Sequence, residues 1–432
     1  GRVFMIKLKW LIFTVVILLF FSGYFGYKHY YKENFTKTNN ERTKITFING
    51  FTGGDGSYMK KITEGFNNSQ TKYQVVELQE KEHYTKFKSG NYDLVVIHGN
   101  NLETYKKDGL IQSISPLLAE AGIKETDFHP AGRKVASIDG ELYAVPLDIH
   151  PLTMFYNKKL SPQRVTSYAD LKTLNSRLQK RNKNVYALGI PSAGLVEYYA
   201  LTIAAQNNIN LQKGNYLNSN QPKFADALMT FHDMVWEEHL SPSNLGTDGD
   251  FQTFMKKADR KGSTKQAAVA LTGPWYYAAA KDTYGGDLGV ASVPRLGDKQ
   301  AVYGNSHTIA LSSEVKDPKV LRGIEEYLKY MYSPENMINW ADGGQSPVHL
   351  PTINIIKKNK DKYPLAYANQ KQFDTFVPAP RVYLFNEQIR YLNDTVFSKL
   401  ILTKNYSKSQ LMDELEKATS IAKQLAETEP KK

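Results

Sequence analysis

Eighteen consecutive residues without a charge, Trp10 to Tyr27, stand near the start of a chain that elsewhere mixes polar and apolar residues throughout. The run reads W-L-I-F-T-V-V-I-L-L-F-F-S-G-Y-F-G-Y. As an α-helix rising about 1.5 Å per residue it reaches roughly 27 Å, close to the ~30 Å hydrocarbon core of a bilayer. Arg2, Lys7 and Lys9 precede it, which keeps its N-terminal end in the cytoplasm and sends the rest of the chain outside. Trp10, Tyr24, Tyr27, Tyr30 and Tyr31 sit at its two ends, where amphipathic rings favour the headgroup level. A cleaved signal peptide would close on small residues. This run closes on bulky aromatics, and the cysteine that a lipoprotein cut requires is absent. The expected organisation is a cytoplasmic segment 1–9, an uncleaved signal-anchor 10–27 and a flexible polar stalk 28–43, with a cleaved signal as the alternative.

The absence of cysteine excludes a disulfide framework and thiol chemistry, so stability has to come from hydrophobic cores. The chain beyond the stalk is longer than one core usually supports, and two lobes are expected. The net charge is +12, from 55 basic against 43 acidic residues. The basic residues are scattered, as at Lys60, Lys61, Lys256, Lys257, Lys357 and Lys358, and form no arm for nucleic acid. Proximity to anionic lipid and wall polymers accounts for the excess.

Strand patterns at Lys44–Asn49, Tyr73–Leu78 and Tyr92–Ile97 alternate with helical ones, the first carrying Tyr58, Met59, Ile62 and Phe66 on one face. Such alternation predicts βαβ units on a parallel sheet covered on both faces. Further strands are expected at Leu142–Leu147 and Thr153–Tyr156, separated by a turn D-I-H-P, and at Ala267–Leu271, Gly289–Val293 and Val302–Leu311. Helices are expected at Leu171–Arg181, Val196–Gln206, Phe224–His239, Thr253–Lys257, Leu321–Met331 and Leu411–Leu425. The chain contains no internal repeat.

Taken in order, G-F-T-G-G-D-G-S, Y-D-L-V-V-I-H-G-N-N, V-P-L-D-I-H-P-L-T-M-F-Y-N-K-K-L, L-T-G-P-W-Y-Y, Y-G-N-S-H and W-A-D-G-G-Q-S-P-V resemble the extracellular solute-binding proteins of carbohydrate ABC importers, the maltose-binding-like family 1. The resemblance runs from Lys44 to about Lys423, and its most specific stretch is Val145–Leu160. It implies an α/β, two-lobed periplasmic-binding-protein-like fold (type II) with several interlobe crossings. The lobes are expected at 44–148 with 294–335, and at 149–293 with 336–428. It further implies capture of a sugar or oligosaccharide in the interlobe cleft, ABC permease subunits and the membrane as partners, a monomer, and no cofactor, metal or nucleic acid. The family's Gram-positive members usually carry a lipid on cysteine; this chain departs there, and the anchor is the evident substitute on the outer face of the plasma membrane.

The candidate ligand-binding residues each have a physical reading. Phe51, Thr52, Gly53, Gly54 and Asp55 lie between a strand's carboxyl end and a helix start, where open α/β sheets bind ligands. The glycines allow close backbone approach, while Asp55 could simply cap the helix. Asn100 and Asn101 offer amides that match hydroxyls as donor and acceptor, or form a plain turn. Asp148 and His150 flank the first lobe crossing, where a carboxylate would bond a sugar hydroxyl strongly. Trp275 and Tyr276 offer faces for stacking on pyranose rings, a core tryptophan being the alternative. Asn305 and His307 open a polar strand-edge loop, and Gly344 and Gln345 form a second close-approach loop. Trp340 and Tyr383 are further aromatic walls, with Trp340 equally suited to a core.

No G-x-S-x-G elbow, phosphate loop, H-E-x-x-H pair or cysteine nucleophile is present, and no enzyme is expected. His98 and His129 lack the spacing of a zinc pair. A hydrolase built on two distant carboxylates, a glycan sensor or adhesin without transport, and a binder of a phosphorylated polyol such as a glycerol phosphoester stay open beside the importer reading.

Overall fold

The computed structural model describes residues 2–36 and 42–432, with backbone alone for 2–11 and 30–36. The first element is the helix Arg2–Thr36. Its window Ile12–His29 has a mean hydropathy of 1.3 and no buried residue, which is long and apolar enough to cross a membrane. Where the sequence predicts the start of a stalk, the helix continues to Thr36, because neither glycine nor proline interrupts residues 28–36. The remaining stalk positions 37–41 lie outside the described residues, as do the side chains of Arg2, Lys7, Lys9, Trp10, Tyr30 and Tyr31.

The first sheet grows from the strand Thr43–Asn49, which pairs in parallel with Tyr73–Gln79 on one side and Leu94–His98 on the other. The helices Gly56–Ser69 and His83–Lys88 make the two crossovers. Ile45, Phe47, Leu94 and Val96 are fully buried or nearly so, as a parallel sheet covered on both faces requires. The long strand Val302–Ser312 then joins antiparallel to Leu94–His98, with His307 opposite His98. The second sheet orders Leu288–Ala291, Thr153–Asn157, Gln266–Thr272 and Val185–Leu188. The helices Val196–Gln206 and Pro222–Trp236 bury Tyr199, Ile203, Leu228 and Phe231 in that lobe's core.

The lobes meet where Ala144–Pro151 of the first sheet and Thr153–Asn157 of the second are separated by Leu152 alone. The Leu152 backbone N–H donates to the carbonyl oxygen of Tyr303 at 3.0 Å. Val302 and Tyr303 pack in the second core, whereas Ile309 and Leu311 of the same strand pack in the first. The turn expected at D-I-H-P is instead strand. Asp148, Ile149, His150 and Pro151 pair with His307, Ser306, Asn305 and Gly304, and the register shifts between His307 and Thr308. Pro146 and Pro151 both lie in this strand, which accepts proline where the ladder is irregular or ends. The bulge re-aims the side chains that follow it.

Further passages link the lobes. One runs from Leu288–Ala291 to Val302–Ser312. Another follows the helix Pro334–Asp342, whose Met337 and Trp340 pack in the first core although the sequence places the second lobe from residue 336. This helix lies against the helix Gly56–Ser69 of the first lobe, so the chain leaves that lobe later than expected. The C-terminal helix Lys408–Ala426, started by a Ser407–Gln410 capping box, closes the second core through Leu411, Leu415 and Ala422.

Candidate functional site

At the bulge, Asp148 is wholly buried and fully bonded. Its Oδ1 accepts from His150 Nδ1 at 3.0 Å and from the His307 backbone N–H at 3.3 Å. Its Oδ2 accepts from His307 Nδ1 at 2.8 Å and from Trp340 Nε1 at 2.7 Å. A carboxylate has about four acceptor sites, and all are taken. Asp148, expected to bond a sugar hydroxyl, therefore faces inward and holds two imidazoles and an indole in place. Burial pushes its carboxyl up, but the His307 and His150 imidazoles outweigh that and hold it well below the usual range.

The two imidazoles project beside a third. Ring centroids lie 4.6 Å apart for His150 and His307, 4.9 Å for His98 and His307, and 6.3 Å for His98 and His150. His98 Nδ1 and Tyr84 Oη are 2.6 Å apart. Burial and the neighbouring imidazoles lower the pKa of His98 well below its ordinary value. Burial also lowers His150, despite the bond to Asp148. For His307 burial acts downward as well, but the Asp148 charge and hydrogen bond overcome it and raise the group.

From this trio a row of rings runs into both lobes. Phe51 stands edge-on to His307 at 5.0 Å and against Trp340 at 4.7 Å. On the other side Trp275 lies 6.4 Å from His150 and 5.8 Å from Tyr198, which in turn meets Tyr303 at 5.2 Å. Trp275 is the member that faces solvent, with 51% of its surface exposed. The short helical turn Pro274–Tyr276, just after the strand Gln266–Thr272, presents it. Trp340 is fully buried, the core alternative for that residue.

The remaining candidates divide between the row and the seam of the lobes. Asn100 Nδ2 donates across the seam to Asn386 Oδ1 at 3.1 Å and to Glu197 Oε2 at 3.4 Å. Asn386 returns a bond to Asn101 Oδ1 at 2.8 Å. Tyr383 spends its hydroxyl on Asp108 Oδ1 at 2.6 Å and is no open wall. Tyr276 stacks on Phe251, centroids 4.2 Å apart, and is engaged there. Asn305 Oδ1 accepts from the Ser306 backbone N–H at 2.9 Å.

In the first glycine loop Thr52, Gly53 and Gly54 are exposed, and a side chain at Gly54 would meet open space. The glycine that must stay bare is Gly56, where a Cβ would stand 2.2 Å from the Phe51 carbonyl oxygen. Asp55 makes no cap bond; its Oδ2 accepts from Gln345 Nε2 at 3.2 Å, joining the two loops. Gly344 sits at φ +86°, a conformation that favours glycine. Asn100 Oδ1, Ser306 Oγ, Gln345 Oε1 and Ser346 Oγ are buried without a protein partner among the described residues.

Sequence patterns do not single out Tyr198, Glu197, Tyr303 or Asn386, and give His98 no more than a structural role. Tyr303 donates a hydrogen bond to Glu197 Oε2, and burial raises the Glu197 carboxyl to about 7. The signal available is E-Y-Y at the first turn of the helix Val196–Gln206, an acid and two aromatics placed together at one helix end.

The profile of one family, described as bacterial extracellular solute-binding protein, matches residues 25–338. The maltodextrin-binding protein MdxE of Bacillus subtilis is 24% identical over 262 residues, 57% of this chain and 59% of that protein. The chain thus spans about three fifths of that relative's length. The sn-glycerol-3-phosphate-binding periplasmic protein UgpB of Yersinia pestis is 22% identical over 348 residues, 73% of this chain and 76% of that one. Among solved structures, the GacH receptor of Streptomyces glaucescens, described unliganded and with acarbose, superposes with a TM-score of 0.69 at 17% identity. That match covers 88% of this chain and 99% of the receptor, and shows the same two-lobed fold. The first two are named as binding proteins and the third as a receptor.

Proposed function

The chain belongs to the bacterial extracellular solute-binding protein family, and from that premise we propose that it captures a carbohydrate between its lobes and passes it on unaltered to an ABC-type permease. The observation that carries this reading is the exposed indole of Trp275 at the end of a ring row shared by both lobes. A flat aromatic face stacks on the apolar C–H face of a pyranose and, being rigid, loses little entropy in doing so. The unpartnered atoms of Asn100, Ser306, Gln345 and Ser346 are the complement that a polyhydroxylated solute would satisfy as the lobes close. Closure is read as a hinge at Leu152 and its partner Tyr303, in which two rigid lobes turn about a few backbone positions. The helix through Ile12–His29 is read as an uncleaved anchor that leaves the lobes outside the cell, beside permease subunits. The protein acts as a monomer and without catalysis.

The test is a thermal-shift screen of the full chain in detergent against maltodextrins, other oligosaccharides and glycerophosphodiesters. A true ligand at 100 times its dissociation constant adds about 2.7 kcal/mol of stability. A shift with sugars supports the reading. A shift with the phosphodiesters alone replaces the sugar with a phosphorylated polyol, and turnover of any compound would make the protein an enzyme. Loss of sugar uptake on gene deletion separates an importer component from a sensor or adhesin.

A further inference from the structure

We propose that His98, His150 and His307 bind a divalent transition-metal cation of the zinc type through their Nε2 atoms, with a fourth coordination position open toward the cleft. One ring nitrogen from each residue lies within 4.8 Å of the other two. Tetrahedral zinc with Zn–N bonds of about 2.0–2.1 Å holds its nitrogens roughly 3.3 Å apart, so the set closes when the nitrogens approach one another by up to about 1.5 Å.

The orientation of the rings fits that use. Each Nδ1 already has an oxygen partner: Tyr84 Oη for His98, Asp148 Oδ1 for His150 and Asp148 Oδ2 for His307. Metal-binding imidazoles are typically fixed in this way, one nitrogen held by a carboxylate or other oxygen and the other left for the metal. Tyr84 is itself fixed, accepting the His98 backbone N–H at 2.8 Å. Asp148 stands directly behind two of the three rings, wholly buried, and supplies a negative charge that offsets part of the cation's.

An all-imidazole set selects zinc, copper, nickel or iron over magnesium or calcium, which prefer oxygen. Three protein ligands with an open fourth position is the pattern of zinc sites that take a water or a solute atom. Trp275, beside His150 and half exposed, is the solvent-facing ring next to the trio. If Trp275 takes the solute, as the proposed function has it, the cation offers that solute a Lewis-acidic position.

The experiment uses the full chain in detergent, stripped with a chelator and titrated with zinc chloride by calorimetry and with cobalt chloride by visible absorption. The expected result is one equivalent per chain with a tetrahedral cobalt spectrum. His98→Gln and His307→Gln should each weaken zinc by about 10–100-fold or more, while His129→Gln, outside the cluster, leaves it unchanged. Should His307→Gln fail to fold, His98→Gln decides alone, since that ring's hydrogen bond among the described residues is to Tyr84. Absence of binding up to about 0.1 mM zinc by folded protein overturns the proposal. So does stoichiometric zinc that survives His98→Gln undiminished.

Discussion

Arg381 of the second lobe reaches across the seam and donates from Nη2 to the carbonyl oxygen of Val135 in the first, at 2.6 Å. The same nitrogen reaches the carbonyls of Lys134 at 2.5 Å and Ser137 at 3.2 Å, at the C-terminal end of the helix Pro130–Ala136. Helix ends leave carbonyls unpaired, and a cation there meets both the hydrogen-bond deficit and the negative end of the backbone dipoles. Arg381→Met keeps the stem and removes the donors. It should lower unfolding stability by about 1–3 kcal/mol in urea titrations. A loss below about 0.3 kcal/mol would mean that the contact is idle.

Asp148 offers a sharper contrast. Asp148→Ala strands two ring N–H groups and an indole N–H in a buried place, and should cost about 3–5 kcal/mol or prevent folding. Asp148→Asn retains one accepting oxygen and should cost distinctly less. Equal losses from the two variants, by chemical denaturation, would contradict the bracing role.

Trp275 is half exposed, so Trp275→Ala should change stability by less than about 1 kcal/mol. Solute affinity should fall tenfold or more, about 1.4 kcal/mol, in calorimetry with the best ligand of the screen. An unchanged affinity removes stacking from the account.

Glu197 predicts a pH signature. Its carboxyl is raised to about 7 in the folded state from an ordinary 4.5, by burial first. Between those values the folded chain keeps a proton that the unfolded chain has released, so unfolding free energy falls as pH rises from 4.5 to about 7 and levels off above. Glu77 and Asp250 are raised to about 7 as well and push the whole protein the same way, so the Glu197 contribution has to be read by difference. Glu197→Gln removes that penalty. The variant's melting temperature, measured against the parent's at the same pH, should gain on it between pH 4.5 and about pH 7 and hold that gain above. The reverse trend, or none, defeats the assignment.

The glycine loop separates two positions of one motif. Gly56→Ala drives a methyl into the Phe51 carbonyl oxygen and should cost about 1–3 kcal/mol, whereas Gly54→Ala meets open space and should be nearly neutral. Melting curves of the two variants check this directly.

Elements are more legible in the sequence than orientations. The helix Val196–Gln206 and the strands around it follow from local periodicity and apolar runs bounded by turn residues. D-I-H-P reads as a turn because its pairing partner, residues 304–307, lies far along the chain, and a bulge cannot be seen in one strand alone. The inward turn of Asp148, the burial of Trp340 and the engagement of Tyr383 have the same origin, each being fixed by a partner from a remote segment. The histidine trio brings together three separate strands, so no spacing rule within one stretch can announce it. The exposure of Trp275 agrees with the sequence, which places the residue in a short turn directly after a buried strand.

The strand Val302–Ser312 supplies residues to both interiors, which makes it an axle as well as a wall. Neither half of the protein is complete without it, and no single cut of the polypeptide gives one half the strand without depriving the other. Folding of one half is therefore coupled to folding of the other, and this strand has to share in any motion between them.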